Sequence, residues 1–332
     1  MSKYQVIVTD DRHHNYDPEL EVLAPINADL QIHNLEREKD PAAILASADG
    51  ILVNLFPLPA SIIAGLKKCK VISRYGVGYD NVDVEAATQA NIWVTRVPDY
   101  AIEDVSDHAL ALLLCAVRKI AFKDRMIRQE QWNLHRRQPI HRIQGRVLGL
   151  VGFGLIARAF LRKVKGLGLG KILIYDPFVA PSDIQKEDAE PADLETLLQQ
   201  SDYISLHAPL SLQTTHMIGQ KQFDFMKKEA ILINTSRGAL VDEKILTDAL
   251  TSQRIAYAGL DVFEQEPLPL DSPLRKLDNV IISDHAGWYS EEAMIELKRK
   301  AALNIVQVLK GEKPAYRINF IENEAPTFVD KR

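Results

Sequence analysis

Short apolar runs, each about the length of a buried strand, recur along the chain and alternate with segments of helical periodicity. In the first hundred residues the runs are 4–9, 51–53, 71–74 and 93–95. Further along they are 147–151, 172–175, 203–207, 230–234, 257–260 and 280–282. Because strands that alternate with helices form parallel sheets, the pattern predicts an α/β protein. A length of 332 residues suggests about two domains.

The helical segments suggest how these domains divide the chain. A segment over 61–68 lies within the first domain, and a second over 103–128 follows a proline-containing crossing at 97–100. The centre of the second segment is apolar on nearly every face, so the rest of the chain or a partner subunit must cover it. The last segment, 291–310, precedes no strand and can return to the first domain. We predict a discontinuous domain over 1–98 and 292–332, with the other domain over 99–291 inserted into it.

One stretch in the second domain has the pattern of a dinucleotide site. The run 147–151 leads into Gly152-Phe153-Gly154-Leu155-Ile156-Ala157, then a helical segment, then a strand that ends on Asp176. Gly152 permits a tight turn, Gly154 lets the backbone approach a pyrophosphate, and Ala157 lets helix and strand pack closely. The pyrophosphate is expected on the first N–H groups of the helix, those of Leu155 and Ile156.

Asp176 lies 22 positions after Gly154, where an acid accepts hydrogen bonds from ribose hydroxyls. Its charge would repel a 2′-phosphate, and neither Pro177 nor Phe178 supplies a cation, so the predicted cofactor is NAD rather than NADP. A glycine-rich turn in an ordinary α/β unit, or a methyltransferase, is the alternative.

Polar residues follow the later strands at the point where each strand ends. Ligands of open parallel sheets bind beyond these carboxyl ends, so the residues are expected to approach one cleft. Cofactor contacts are predicted for His207, Ala208, Pro209, Thr235, Ser236, Arg237, Asp261, His285 and Gly287. Asp261 is expected to bond the carboxamide or a ribose of the cofactor, with a helix cap as the alternative.

Three of the side chains can carry chemistry. Arg237 can grip a carboxylate with two hydrogen bonds and polarise an adjacent carbonyl. His285 can give or take a proton near neutral pH. Glu266, 19 positions before His285, can bond the imidazole, fix its tautomer and favour its protonated form. The alternatives are a structural ion pair for the arginine, a satisfied core histidine, and a merely solvated acid at Glu264 or Glu266.

A glycine-containing loop follows the third strand of the first domain. Its residues are Arg74-Tyr75-Gly76-Val77-Gly78. Two glycines beyond a strand end expose backbone N–H groups that can bind an anion such as a carboxylate. The alternative is a simple turn stabilised by Asp80 and Asn81. Trp288, with Tyr75 or Phe56, can line a pocket for the substrate side chain, or can pack in the core.

Composition excludes several classes of function. A net charge of −5 argues against general binding to nucleic acid or to an anionic membrane. The only cysteines, Cys69 and Cys115, lie in apolar surroundings, and no His/Cys cluster has the spacing of a metal site. No apolar run approaches the length of a membrane span. With no signal peptide evident, a cytoplasmic location is expected. The basic segment 132–146 is interpreted as a solvated loop, or else a binding surface.

These motifs together resemble the D-isomer-specific 2-hydroxyacid dehydrogenases. The resemblance rests on the glycine fingerprint, the loop at residue 74, Asn234-Thr235-Ser236-Arg237-Gly238, 260–267 and His285-Ala286-Gly287-Trp288. It implies two Rossmann-like domains with a cleft between them and usually a homodimer through the NAD-binding domain. By the same match, Arg237 binds substrate, His285 donates the proton, Glu266 supports it, and the Tyr75–Gly78 backbone holds the carboxylate.

Two features narrow or qualify the resemblance. The 139–142 and 285–291 segments look most similar to the branch of C-terminal-binding proteins and phosphoglycerate dehydrogenases. Asp284 stands where the family usually has proline, and its effect on His285 stays open.

The predicted function is an NAD-dependent oxidoreductase that interconverts a 2-keto acid and its D-2-hydroxy acid. The alternative is an NAD(H)-responsive binding protein or co-regulator of the C-terminal-binding-protein type. Neither the particular acid nor the direction in the cell follows from the sequence.

Overall fold

The computed structural model describes residues 3–12, 14–132 and 139–321. Twelve strands occur within these ranges. They are β1 (Tyr4–Val8), β2 (Ala28–Ile32), β3 (Gly50–Val53), β4 (Val71–Arg74), β5 (Trp93–Thr95), β6 (Val147–Val151), β7 (Lys171–Tyr175), β8 (Glu190–Pro191), β9 (Tyr203–Leu206), β10 (Ile231–Asn234), β11 (Tyr257–Leu260) and β12 (Val280–Ile282).

The same ranges contain twelve α-helices. They are α1 (Asp17–Leu23), α2 (Pro41–Leu45), α3 (Ala60–Ile63), α4 (Val84–Gln89), α5 (Ile102–Arg118), α6 (Ile120–Arg128), α7 (Leu155–Val164), α8 (Pro181–Gln185), α9 (Leu194–Gln200), α10 (Gln220–Phe225), α11 (Glu243–Thr251) and α12 (Glu291–Leu309).

The chain divides into two units, of which the second is inserted into the first. Unit 1 comprises the described residues up to Ala101 and those from Ser290 onward, and unit 2 comprises Ile102–Tyr289. The predicted boundaries, after residues 98 and 291, lie within three residues of these positions.

Unit 1 is built on a five-stranded sheet in the order β2-β1-β3-β4-β5, in which every pairing is parallel. Its central strands are buried on both faces, so they appear in the sequence as continuous apolar runs. The last helix, α12, packs against α1, β3 and β4. Ser73 fixes that contact, because its Oγ donates to the carbonyl of Ala301 at 2.9 Å. The carboxyl end of β4 carries the loop that begins at Arg74.

Unit 2 is built on a seven-stranded parallel sheet in the order β12-β11-β10-β9-β6-β7-β8. From β6 the chain runs outward through β7 and β8, then returns to β9 on the other side of β6. The strand order therefore reverses between β6 and β9, which is where open α/β sheets bind ligands. One apolar cluster joins α5 and α7 to the sheet, and another joins α9, α10 and α11 to it.

Two predicted helices differ from those observed. The segment 103–128 is not one helix, because Lys119 adopts a left-handed conformation with φ 58° that separates α5 from α6. The segment 61–68 is helical only as far as Ile63. The apolar centre of α5 is covered within unit 2 by α7, β10 and β11. None of the helices in the described ranges combines the length and apolar character needed to cross a membrane.

Candidate active site

The turn between β6 and α7 requires its two glycines for different reasons. Gly152 has φ +91°, and a Cβ there would lie 2.6 Å from the backbone nitrogen of Ala208. A Cβ at Gly154 would meet no atom within 4 Å. The first glycine is therefore needed by the fold itself. The second leaves open space above the turn, which suits the close approach of a pyrophosphate.

The start of α7 presents backbone donors to this space. Gly154 is the N-cap of α7, and the N–H groups of Leu155 and Ile156 have no acceptor among the described residues. The first N–H groups of a helix have no partner within it, and they attract anions together with the helix dipole. This part of the chain therefore fits the pyrophosphate of a dinucleotide.

Asp176, at the end of β7, holds the glycine turn. One carboxylate oxygen accepts from the N–H of Phe153 at 2.8 Å, and the other accepts from the N–H of Phe178 at 2.8 Å. Each oxygen can accept a second hydrogen bond. The carboxylate therefore retains capacity for ribose hydroxyls, and that predicted contact stays a prediction.

At the end of β9, His207 is a neutral side chain. Its Nε2 lies 2.9 Å from Ser205 Oγ, and its ring packs against Phe160 with a centroid distance of 5.3 Å. Burial lowers the pKa of His207 to about 4. The next residue, Ala208, accepts a hydrogen bond from Ser236 Oγ at 2.6 Å, which ties the end of β9 to the end of β10. Pro209 is exposed.

At the end of β10 lie a buried hydroxyl and a half-buried guanidinium. The Oγ1 of Thr235 is buried and has no hydrogen-bond partner among the described residues, so it is suited to a polar group of a cofactor. The Nη1 of Arg237 donates to the carbonyl of Ser236 at 2.8 Å. A Cβ at Gly238 would collide with the backbone of Phe263. Glycine at 238 therefore brings the arginine loop close to the loop that carries Glu266.

Asp261, at the end of β11, organises the loop that follows β12. It is 2% exposed, and it accepts hydrogen bonds from Ser283 Oγ at 2.6 Å, Ala286 N at 3.0 Å and Gly287 N at 2.9 Å. His108 Nε2 lies 3.3 Å away. Burial raises the pKa of Asp261, but the hydrogen bonds of His108, Ser283 and Gly287 outweigh burial and lower it overall. The predicted cofactor contacts of Asp261 and Gly287 stay predictions.

His285 and Glu266 form a close pair. The Nδ1 of His285 lies 2.7 Å from Glu266 Oε2, and Glu266 Oε1 accepts from the N–H of Phe263 at 3.0 Å. Burial raises the pKa of Glu266, but the hydrogen bond and charge of His285, the Phe263 N–H and the charge of Arg237 together lower it. The imidazole, the carboxylate and the guanidinium therefore interact electrostatically within unit 2. Because Nδ1 is engaged by Glu266, Nε2 is the ring nitrogen left to exchange a proton.

Two neighbouring acids have other partners. Glu264 lies 2.8 Å from His216 Nε2 and accepts from the N–H of Glu243. Asp284 is exposed, and its charge raises the pKa of His108. Trp288 is half-buried and makes an edge contact with Tyr289 at 5.8 Å between ring centroids.

In unit 1, the loop after β4 presents backbone donors. Gly76 has φ +134°, which glycine adopts without strain. The N–H groups of Val77 and Gly78 find no acceptor in the part of the chain that the structure describes. The guanidinium of Arg74 folds back to donate to the carbonyl of Tyr75. These features fit the predicted binding of a carboxylate by backbone N–H groups.

The side chains of Tyr75 and Phe56 are buried in the core of unit 1. Tyr75 is 2% exposed, and its hydroxyl donates to Glu19 Oε1 at 2.8 Å, while Phe56 joins the apolar cluster of unit 1. This packing fits the alternative of core residues, and their role as walls of a pocket stays a prediction.

His108, Ser283 and Glu19 were not predicted from the sequence. Each acts through a contact with an element distant in the chain, so no local pattern marks it.

No group of three or more His, Cys, Asp or Glu side chains suited to a metal occurs within 3–12, 14–132 and 139–321. Of the basic segment 132–146, residues 133–138 lie outside the described residues, as does the end of the predicted first domain beyond residue 321.

Comparison with known proteins identifies the family to which a chain with this geometry belongs. The model of the D-isomer specific 2-hydroxyacid dehydrogenase NAD binding domain matches residues 110–287. A glyoxylate reductase of Korarchaeum cryptofilum is 42% identical over 289 residues, which cover 86% of this chain and 85% of that protein. A D-3-phosphoglycerate dehydrogenase of Methanocaldococcus jannaschii is 36% identical over 312 residues, covering 93% of this chain and 58% of that protein.

One solved structure is similar to this chain over nearly its whole length. The crystal structure of a glyoxylate reductase from Paecilomyes thermophila superposes with a TM-score of 0.85 at 27% identity, covering 96% of this chain and 99% of that one. The narrower resemblance to C-terminal-binding proteins stays a prediction. The glycine turn of unit 2, its seven parallel strands and these similarities together show that the chain belongs to the family of NAD-dependent D-isomer-specific 2-hydroxyacid dehydrogenases.

Proposed function

We propose that the protein reduces a small 2-keto acid to the D-2-hydroxy acid, with His285 as the proton donor and Arg237 as the ligand of the carboxylate and carbonyl. The observation that carries this proposal is the His285–Glu266 hydrogen bond of 2.7 Å beside the charge of Arg237. It supplies an acid, its support and a cation in one unit. Glyoxylate is the first substrate to test, because the relative of K. cryptofilum is named for its reduction.

Each residue has a distinct task in this reaction. Bound NADH supplies a hydride to the carbonyl carbon of the acid. His285 gives the proton on Nε2 to the carbonyl oxygen, while Glu266 holds Nδ1 and stabilises the imidazolium before transfer. Arg237 neutralises the carboxylate and polarises the carbonyl. The N–H groups of Val77 and Gly78 bind the carboxylate.

The cofactor contacts are assigned in the same way. We assign the pyrophosphate to the N–H groups of Leu155 and Ile156, and the adenosine ribose to Asp176. Thr235 Oγ1 is assigned to a polar group of the cofactor. The carboxylate of Asp176 disfavours a 2′-phosphate, so NADH is expected to be used in preference to NADPH.

The experiment that tests this function follows NADH absorbance with a panel of 2-keto acids. The panel contains glyoxylate, pyruvate, hydroxypyruvate, a phosphorylated hydroxypyruvate and phenylpyruvate, with NADPH measured in parallel. Arg237→Ala is expected to lower kcat/KM by about 100-fold or more, and Arg237→Lys to restore only part, since lysine cannot form the paired hydrogen bonds. Arg254→Ala is the matched control, because that arginine binds the carbonyl of Asp224 on the surface.

Two results would overturn the proposal. Absence of turnover with the whole panel, in protein that binds NADH, would remove the catalytic assignment. Capture of a peptide that depends on NADH, without turnover, would instead support an NAD(H)-responsive binding protein. Full activity of Arg237→Ala would remove the role of that residue alone.

We also propose a homodimer formed through unit 2 in the cytoplasm. The helix α6 exposes Ile120 and Ile127, which are 56% and 48% accessible, and Trp132 follows at 89%. Apolar side chains exposed together in this way favour an interface between subunits. Light scattering should give twice the mass of the chain, and Ile127→Asp should give a monomer. A monomeric wild type would reject the dimer.

The cytoplasm is the proposed location because the unpaired cysteines, Cys69 and Cys115, suit a reducing compartment.

A further inference from the structure

The loop that carries His285 needs to be held, because its backbone is unusual. His285 has φ 58°, in the left-handed region that residues other than glycine rarely adopt. Three hydrogen bonds to Asp261 hold it. The N–H of His285 donates to the Asp261 carbonyl at 2.9 Å, and the N–H groups of Ala286 and Gly287 donate to its carboxylate. Glu266 holds the His285 ring itself, whereas the backbone of the 285–287 loop is tied to Asp261 through both its carbonyl and its buried carboxylate.

That carboxylate is oriented in turn by Ser283 and His108. Ser283 Oγ lies 2.6 Å from Asp261 Oδ1, and His108 Nε2 lies 2.9 Å from Ser283 Oγ and 3.3 Å from Oδ1. A serine hydroxyl has one hydrogen, and the short contact commits it to the carboxylate. His108 Nε2 must therefore carry a hydrogen and act as the donor. This assignment follows from the network whether His108 is neutral or charged.

His108 is well placed for this task because it lies on α5, which packs against α7, β10 and β11. The absence of a side chain at Gly287 leaves room for its ring, since a Cβ there would lie 3.4 Å from His108 Cδ2 and 2.8 Å from Asp261 Oδ2. Helix α5 thus provides a fixed donor to Ser283, at the start of the 283–287 loop, and to Asp261.

The charged groups around His108 are consistent with a donor role. Asp261 and Asp284 are the acids that face it, from the ends of β11 and β12. The α7 cation Lys163 instead binds Glu103 and Asp107 of α5. The hydrogen bond to Asp261, then the charges of Asp261 and Asp284, raise the pKa of His108.

We propose that His108 is a positioning residue for His285, acting through Ser283 and Asp261 to hold the 283–287 loop in the conformation that proton transfer requires. The proposal rests on the proposed function for the role of His285. The hold on the loop itself is a property of the protein without cofactor or substrate, so it can be tested even if the proposed reaction is wrong.

The test compares His108→Leu, which removes the donor, with His108→Gln, whose amide nitrogen can replace Nε2. His33→Leu, in unit 1, is the matched control for the change of residue type. Hydrogen exchange of the peptide 283–289 is measured in the protein without ligand, and kcat and KM are measured with the accepted keto acid. Loss of a donor to a charged acceptor predicts about 10-fold or more faster exchange in His108→Leu.

The kinetic result should separate positioning from general destabilisation. His108→Leu is expected to lower kcat by about 10-fold or more with a smaller change in KM, and His108→Gln to recover most of it. Unchanged exchange and unchanged kcat in His108→Leu would overturn the proposal. Altered exchange without any turnover in the wild type would keep the hold on the loop and reject the proposed function instead.

Ser283→Ala makes the proposal independent of whether His108→Leu folds. It removes the intermediate hydroxyl with little change in volume, so it should reproduce the faster exchange and lower kcat. If both residues act in one chain of contacts, the double variant should be no more than about twofold worse than the more affected single variant. Fully additive losses would show that His108 acts elsewhere and would reject the proposal.

Discussion

The replacement Glu266→Gln tests the central pair of the site without changing its shape. Glu266 meets two donors at once, His285 Nδ1 at 2.7 Å and the N–H of Phe263 at 3.0 Å. Glutamine has a single carbonyl oxygen and an amide that only donates. In the variant the amide can therefore no longer accept from both donors, and the charge that stabilises an imidazolium is lost.

The size of the loss can be estimated from the geometry. A hydrogen bond to a charged group contributes about 1.5–3 kcal/mol, which corresponds to about 10- to 150-fold in rate. The side chains of His285 and Glu266 are 37% and 35% exposed, so solvent screens their interaction. We therefore expect the lower part of this range, about 10- to 30-fold, in kcat with little change in KM.

The assay is steady-state NADH oxidation with the accepted keto acid. Glu264→Gln is the matched control, because it makes the same chemical change two residues away. Glu264 pairs with His216 and accepts from Glu243, so its replacement is expected to leave kcat within about twofold. A Glu266→Gln enzyme with wild-type kcat, or an equal loss in both variants, would refute the assignment of Glu266.

Three further predictions concern stability and cofactor binding. Gly152→Ala should lower the free energy of unfolding, measured by chemical denaturation, by about 2–5 kcal/mol, because its Cβ would lie 2.6 Å from the Ala208 nitrogen at an unfavourable φ. Gly154→Ala should keep wild-type stability but weaken NADH binding in a fluorescence titration. The folded-state pKa of His207 is about 4, below its unfolded value of 6.5, so the unfolded protein binds a proton that the folded protein does not. The free energy of unfolding of the wild type should therefore fall by at most about 3 kcal/mol as the pH drops from 6.5 to 4. The variant His207→Asn should lose this pH dependence. Burial lowers the pKa of Lys119 to about 8, so Lys119→Met should raise the free energy of unfolding at pH 7 by about 1–2 kcal/mol; a lower melting temperature in that variant would contradict the interpretation.

The sequence predicted the strands of the two sheets well, because most of them are buried on both faces. Strands such as β6 and β10 appear as continuous apolar runs between turns, and their observed ends lie within one residue of the prediction. The edge strand β2 was missed, since it has one neighbour and is largely accessible, so its run is weakly apolar. The end of α5 was missed because Lys119 takes a left-handed conformation that is usually marked by glycine.

The candidate site was predictable to the extent that it lies at strand ends. Arg237 and His285 each lie three residues after the end of a strand, β10 and β12, so the parallel sheet alone predicts that they lie along one edge. The choice between Glu264 and Glu266 depends on the path of an irregular loop, and no periodicity distinguishes them. His108 lies on an amphipathic helix, where a single histidine has no pattern of its own. Its function becomes visible only when Ser283 and Asp261 are placed beside it.

The insertion of unit 2 into unit 1 has a consequence for biosynthesis. A ribosome completes all of Ile102–Tyr289 before it reaches α12, yet unit 1 uses α12 to cover β3 and β4. Ser73 cannot bond the carbonyl of Ala301, nor Tyr4 that of Leu309, until α12 has been translated. The nascent chain should therefore mature from the middle outward. The residues of unit 1 that precede Ile102 are made before the inserted unit but should acquire protease resistance only after it, once α12 has been translated.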